Sequence, residues 1–483
     1  MNDIENRKFH KDLFWYLLGS IIPSLLSFIR NPIFTRIFTP EEYGYYSIVV
    51  HTFGFISIVL FSWLGSCLWR YYFGYRKKNE LNILYTNIIS LLLISSIIVI
   101  ILMCFWLSRT DNILIKRLVL LSTLYQLSYN FIYLYLITIR LKEKSFLFNL
   151  YYSIQAAGAF GILCLFVFIL EYRIEAILIG QVAINILLLL FLTIKIRKIP
   201  GLSIKRISLP LIKELLKYGS VGLILGFGVM ALNTSDRYVI ALYTDMGSVG
   251  IYNQIYMLSQ FSIYHLITVY FNTINPGLNK ILVYNPEDKE FKIIEYIRHF
   301  LILLMPLVVY LSLFCKEVSI ILLGEKFRVG YLMIPYIMFS SFIYGITLFN
   351  ETKLKFENRF KPVIFGIIAA LALNLLLNFI LIPLFGYQWA AITTFISYMV
   401  LFLFFYLSDS LKYFTSTYLL KKIYPAVLIL ATQVIIDLII RKVFNIKINV
   451  LMTIFEGVLF LLVYILVIKK RNIKPGNKFL GIF

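Results

Sequence analysis

About fourteen apolar runs, each long enough to cross a bilayer as a helix and separated by short polar turns, leave this chain one kind of fold. They run near 13–37, 44–69, 81–107, 116–139, 146–170, 176–194, 218–242, 249–273, 297–315, 329–350, 362–384, 388–407, 423–440 and 450–468. A soluble chain of 483 residues could bury a large core, yet it would still need a polar surface. Only 14% of these residues are charged and 60% are hydrophobic, against roughly 25% charged in an average soluble domain. The charges cannot cover such a surface, so the chain reads as an all-α integral membrane protein. Pro335 interrupts the tenth run. The charged start, Met1 to Lys11, leads into the first span without a small-residue cleavage site, and that span reads as a retained helix.

The formal net charge of +22 would point to nucleic acid in a soluble protein. Here Lys and Arg fall between the apolar runs, and nothing resembles a helix-turn-helix, a zinc site or an RNA-binding signature. Nucleic acid is not an expected partner; the charge sets topology instead. With the N-terminus inside, the inside segments hold roughly 33 basic residues, among them Arg76-Lys77-Lys78 and Lys469-Lys470-Arg471, and the outside loops roughly 11. Both termini are therefore expected in the cytoplasm. Cys67, Cys104, Cys164 and Cys315 lie far apart in or beside apolar runs and read as small buried hydrophobes.

The largest connection, Lys195–Lys217, holds the turn signal Pro200-Gly201 and an amphipathic stretch, Leu211–Lys217, expected along the cytoplasmic membrane surface. Its two sides look alike. Thr39-Pro40-Glu41-Glu42-Tyr43-Gly44-Tyr45-Tyr46 joins spans 1 and 2, and Thr244-Asp245-Met246-Gly247-Ser248-Val249-Gly250-Ile251-Tyr252 joins spans 7 and 8. Phe131-Ile132-Tyr133 in span 4 matches Phe342-Ile343-Tyr344 in span 10, and Tyr172-Arg173-Ile174-Glu175-Ala176 matches Tyr387-Gln388-Trp389-Ala390-Ala391. The offset stays near about 200 residues, and each half begins inside, so the repeat is parallel, a transporter plan. The expected organisation is an N-terminal lobe of helices 1–6 (1–194), a cytoplasmic linker (195–217), a C-terminal lobe of helices 7–12 (218–407), and helices 13–14 with a basic cytoplasmic tail (408–483).

An ionised side chain at mid-bilayer costs about 2.5–3.5 kcal/mol on insertion scales, so it implies a cavity or a partner. Arg30 lies in span 1, followed by Asn31-Pro32, where the proline is expected to bend the helix. Asp236-Arg237 lies at a similar depth in span 7. Two cations facing one cavity would attract an anionic head group, since guanidinium binds phosphate bidentately. The competing reading is that both arginines snorkel to the outer interface, about 10 Å away by helical rise. Arg36 reads as interfacial or as a further substrate contact. Asp236 reads as the partner of a neighbouring cation or as a coupling site for H+ or Na+. Asn130, Gln155, Gln181, Asn233, Gln254, Asn374 and Asn378 read as interhelical hydrogen-bonding residues. Tyrosines and tryptophans near span ends read as interfacial anchors. No Walker A loop, HExxH or Gly-x-Ser-x-Gly occurs, so no catalytic site, metal or cofactor is expected.

The opening Leu17-Leu18-Gly19-Ser20, continued by Pro32-Ile33-Phe34-Thr35-Arg36-Ile37-Phe38-Thr39-Pro40-Glu41-Glu42-Tyr43-Gly44-Tyr45-Tyr46, closely resembles the first helix and turn of bacterial polysaccharide-unit flippases of the Wzx type. The turn Tyr387-Gln388-Trp389-Ala390-Ala391 is similar to the corresponding turn of that family. The resemblance implies the multidrug/oligosaccharidyl-lipid/polysaccharide exporter fold, with two six-helix lobes and two further helices. It implies a substrate, an oligosaccharide unit on undecaprenyl pyrophosphate, moved from the cytoplasmic to the outer leaflet of the bacterial inner membrane by alternating access. O-antigen or capsule synthesis would be the destination, with a polysaccharide polymerase and chain-length machinery as partners beside membrane lipids. It also implies cavity cations that hold pyrophosphate or acidic sugars, a role that Arg30 and Arg237 suit by position. A drug/cation antiporter or a lipid II flippase on the same fold is the first alternative. A membrane polysaccharide polymerase, which would need a catalytic outer loop, is the second.

Overall fold

The structure, a computed structural model, describes residues 22–196, 203–284, 289–408, 417–442 and 450–470. Leu17-Leu18-Gly19-Ser20, the start of the first span, Pro200-Gly201 and the tail from Arg471 lie outside these. The described residues are helical with short turns and no strand. Nine helices among them are long and apolar enough to cross a membrane, and two shorter apolar stretches, Ala176–Leu192 and Phe455–Leu466, accompany them.

By compactness the described chain divides into two units, residues 22–34 with 38–238, and residues 35–37 with 239–470. The first unit begins with α1 (22–34), followed by α2 (Pro40–Lys77), α3 (Leu81–Arg109), α4 (Ile113–Leu141), α5 (Ser145–Phe168), α6 (Ala176–Ile196) and most of α7 (Leu209–Tyr243). Lipid exposure explains the composition of α3: Ile94, Ile97, Ile101 and Phe105 are exposed, while Asn87, Ser95 and Ser96 turn inward. A stripe of large apolar side chains facing outward is costly in water and stable in hydrocarbon. Helix α4 is more polar because Ser122, Gln126 and Asn130 are buried and Tyr125, Tyr129 and Tyr133 follow one another at i, i+4.

The amphipathic stretch Leu211–Lys217 is continuous with the span that follows it in α7. Its apolar residues Leu211 and Leu215 are buried, and the Leu215 carbonyl accepts a hydrogen bond from Cys67 Sγ at 3.3 Å. Further along, Phe227 packs at 5.3 Å from Phe55, and the Tyr238 hydroxyl lies 2.9 Å from Thr52 Oγ1. These contacts with α2 place most of α7 in the first unit.

The turn before α2 is a capping box. Pro40 stands in the first helical turn, where its missing N–H is harmless. The Thr39 N–H donates to Glu42 Oε2 at 2.8 Å, and the Glu42 N–H donates to Thr39 Oγ1 at 3.3 Å. Arg173, in the turn before α6, grips the same carboxylate through Nε and Nη2 at 2.8 and 2.9 Å. That hydrogen bond raises the Arg173 pKa above its ordinary value. Glu42→Ala removes cap and fork together and should cost about 1–2 kcal/mol, read as a lower thermal midpoint in detergent. Arg117→Ala removes a 3.2 Å contact from Glu175, which is buried although Arg117 itself is exposed, and should lower the midpoint by an amount equivalent to about 1–3 kcal/mol.

The second unit holds α8 (Met246–Ser259, carried through a π turn, Gln260–Tyr264, into His265–Tyr284), α9 (Lys289–Leu313), the short α10 (Cys315–Leu322), α11 (Ile334–Phe356), α12 (Phe360–Phe385), α13 (Trp389–Ser408), α14 (Thr417–Lys442) and α15 (Val450–Lys470). Asp245 caps α8 by accepting from the Ser248 N–H at 2.9 Å, a simpler version of the cap on α2. Helix α2 carries a π turn too, at Ile58–Ser62, so the second helix of each half has the same irregularity. Pro335 does not interrupt a span: a 3-10 segment, Glu325–Met333, precedes it, and the proline opens α11 within its first turn. Helices α14 and α15 pack Ala426, Leu430, Phe460 and Tyr464 together against Ile302, Met305 and Val309 of α9.

Candidate functional site

A cavity of about 240 Å³ lies within the first unit, walled by α1, α4, α5 and α6. Each wall owes its place to helical spacing. Helix α5 turns Tyr152, Gln155, Ala156, Ala159 and Leu163 inward, and α6 turns Ile177, Gln181, Ile184 and Asn185. The two helices approach closely because α6 carries Gly180 against the backbone of α5. A Cβ there would sit 2.5 Å from the Ala159 carbonyl oxygen. The small Ala156 and Ala159 leave the space that larger side chains would fill.

The cavity is polar for its depth. The Gln155 amide donates to Asn185 Oδ1 at 2.7 Å, and Asn185 Nδ2 donates to Ser128 Oγ at 3.3 Å, so one hydrogen-bonded chain runs across α5, α6 and α4. This is the interhelical role expected of Gln155, and the same residue also faces the cavity. Tyr125 and Tyr129 of α4 stack with centroids 5.4 Å apart, and Tyr133 continues the row at 6.0 Å from Tyr129. Tyr125, Tyr129 and Tyr152 all line the space.

Arg30 of α1 is the charged residue of this lining, with Ser27 one turn before it. It is half-buried, and the described residues offer it no carboxylate. Helix α1 continues two residues beyond Pro32, so the proline falls in its last turn. There Phe34 is fully buried, with Phe38, Phe160 and Phe168 around it at 5.6 to 6.3 Å, which fixes the end of α1.

The other expected site residues lie elsewhere. Arg237 is 1% exposed in α7 and donates to the Asn233 carbonyl at 2.7 Å; it is not part of the cavity wall. Asp236 beside it is fully buried. Arg36, in the second unit, is exposed and donates from Nη2 to the carbonyls of Ile320 and Ile321 at 3.3 and 3.0 Å. It thereby places a cation on the C-terminus of α10, where the helix dipole favours one. Tyr125, Tyr129, Tyr152 and Asn185 were not among the expected site residues. The legible signal was spacing: tyrosines at i, i+4 opposite a Gln-x-x-x-Asn pair, Gln181 and Asn185.

The polysaccharide biosynthesis protein family matches residues 9–276. No curated protein matches the chain in sequence. Among solved structures it is similar to the lipid II flippase MurJ in an inward closed conformation, with a TM-score of 0.73 and 15% identity over 96% of this chain and 100% of that one. It is also similar to an inward-facing multidrug resistance MATE family transporter of the MOP superfamily, with a TM-score of 0.54, 14% identity, and 83% and 99% of the two chains covered. A mutant form of the Vibrio cholerae MATE transporter VcmN follows at 0.52, 12%, and 84% and 98%. The chain therefore shares the multi-helix fold of these solved structures.

Proposed function

We propose that this chain, which belongs to the polysaccharide biosynthesis protein family, is a flippase that carries a lipid-linked oligosaccharide across the bacterial cytoplasmic membrane. The observation that carries the reading is Arg30, a guanidinium on a cavity wall that the described residues leave without a carboxylate. A cation held at membrane depth needs an anion, and the phosphates of a polyprenyl pyrophosphate supply one in the geometry guanidinium prefers. Aromatic rings and amides around it suit the sugars. A drug/cation antiporter would place carboxylates on such a wall, and among the described residues no Asp or Glu lines it.

In this reading the termini face the cytoplasm, the two six-helix halves alternate access, and the unit delivered outside feeds a polysaccharide polymerase of the O-antigen or capsule type. Arg237 and Arg36 serve the surrounding structure, and Asp236 is the place to look for coupling to H+ or Na+. The test is complementation of a strain lacking the flippase for a matched sugar unit, beside a strain depleted of its lipid II flippase. Restored surface polysaccharide in the first strain alone supports the reading. Rescue of the second strain alone assigns lipid II. Rescue of neither, with the protein present in the membrane, moves the assignment to an antiporter.

A further inference from the structure

Gln181 lines the cavity, yet its amide makes no hydrogen bond with the described residues, and the same holds for the phenols of Tyr125, Tyr129 and Tyr152. Gln155 gives one amide hydrogen to Asn185, which fixes the amide plane and leaves its Oε1 and second hydrogen to the cavity. These groups are only partly buried, and because the described residues do not use them they stand ready on one wall for a polar occupant.

The chemistry of the wall selects that occupant. Amides and phenols both donate and accept, whereas an anionic head group asks for donors alone and an apolar drug for neither. Hydroxyls donate and accept in the same way. Aromatic rings beside them match a pyranose, whose rim is polar and whose faces carry C–H groups. Size narrows it further. At about 240 Å³ the cavity lies below the roughly 300–1,000 Å³ of sites for drug-sized ligands, so its walls surround one ring, and the rest of a repeat unit would extend beyond them.

We infer that this cavity is a single-residue saccharide subsite, in which Gln181, Gln155 and the phenols of Tyr125, Tyr129 and Tyr152 read the hydroxyl pattern of one sugar. The inference rests on the flippase reading and deepens it. Arg30 holds the phosphate side, and the amide and tyrosine wall selects the sugar attached to it. The subsite lies wholly in the first unit, so sugar preference follows that unit.

Binding to the purified full chain in nanodiscs tests this. The probes are undecaprenyl pyrophosphate alone, the same carrier bearing one hexose, one N-acetylhexosamine or one hexuronic acid, and the free monosaccharides. Gln181→Leu and Tyr129→Phe remove groups that the fold does not use, so both should fold. The wild type should prefer one sugar-bearing carrier, and each variant should reduce that preference about two- to tenfold while leaving the bare carrier unchanged. Arg30→Ala should weaken bare and sugar-bearing carriers alike. Equal wild-type binding of all carriers, or equal weakening of all by Gln181→Leu, overturns the subsite and leaves the flippase standing. A free monosaccharide bound through Gln181 without binding of any carrier overturns the flippase and keeps the subsite. Binding of no probe overturns both.

Discussion

Arg30→Ala should abolish export of the sugar unit while the protein accumulates in the membrane at the wild-type level. The two halves of this result have separate causes. A hydrogen bond to a charged group is worth about 1.5–3 kcal/mol, and a bidentate grip on phosphate uses two, so removing the fork should weaken substrate engagement at least tenfold. Folding should not suffer, because Arg30 makes no hydrogen bond or ion pair with the described residues and its removal takes a half-buried charge out of a membrane-spanning helix. Arg30→Lys keeps the charge and loses the planar fork, so export should be partial. Arg237→Ala should behave in the opposite way. Arg237 is buried, its guanidinium holds the Asn233 carbonyl, and Asp236 is buried next to it. Removing one buried charge beside another costs about 3–5 kcal/mol where the two compensate. Membrane level and thermal midpoint should fall, and export only in proportion. Immunoblots of membranes beside surface polysaccharide assays separate the two patterns.

The contrast between these arginines shows what hydropathy reveals and what it hides. Depth in a span is a one-dimensional property, so both stood out in the sequence as cations that need a reason. Which helix face each occupies depends on neighbours far away in the chain, and a single sequence does not hold that information. The same limit explains the turn Thr39-Pro40-Glu41-Glu42. Its capping box is local, encoded at spacing three, and readable; the grip of Arg173 on Glu42 joins residues 131 positions apart and is not. Arg36 belongs to the resembling motif and caps α10, a contact across 285 positions. Pro335 was legible as a break but not as the start of a helix, because a proline in the first turn and one in the interior look alike until the preceding 3-10 segment is known. The π turns in α2 and α8 have no residue signature, whereas the repeat that contains them does. The tyrosines of α4 lie inside the span and did not stand out, because aromatic residues are abundant here. Their shared face follows from spacing, but their cavity exists only through the small residues of α5 and α6.

Those small residues carry the second large effect. Gly180→Ala should inactivate the protein and lower its thermal midpoint, while Gly161→Ala, nearby on α5, should do neither. At Gly180 an added Cβ would meet the Ala159 carbonyl oxygen at 2.5 Å and the Leu163 nitrogen at 3.2 Å, both backbone atoms of α5 that no side-chain rotation can move. The helices must separate, and overpacking of this kind costs about 1–3 kcal/mol. Within a bilayer the loss is not offset by water, since helix pairs there depend on close van der Waals approach at small residues. The 2.7 Å bond between Gln155 and Asn185 joins the same two helices and lies one turn and more away, so separation should stretch it and release the amide that it orients. At Gly161 nothing lies within 4 Å of the added methyl group. Alanine is the better helix former by about 0.8–1.0 kcal/mol, so that variant should be neutral or slightly more stable. Thermal scans in detergent and complementation of both variants decide the matter. If Gly180→Ala exports normally, the α5–α6 contact tolerates separation and the cavity walls do not need their spacing. If both variants fail, loss of glycine itself on these helices is the cause, and the contact with Ala159 has no special part in it.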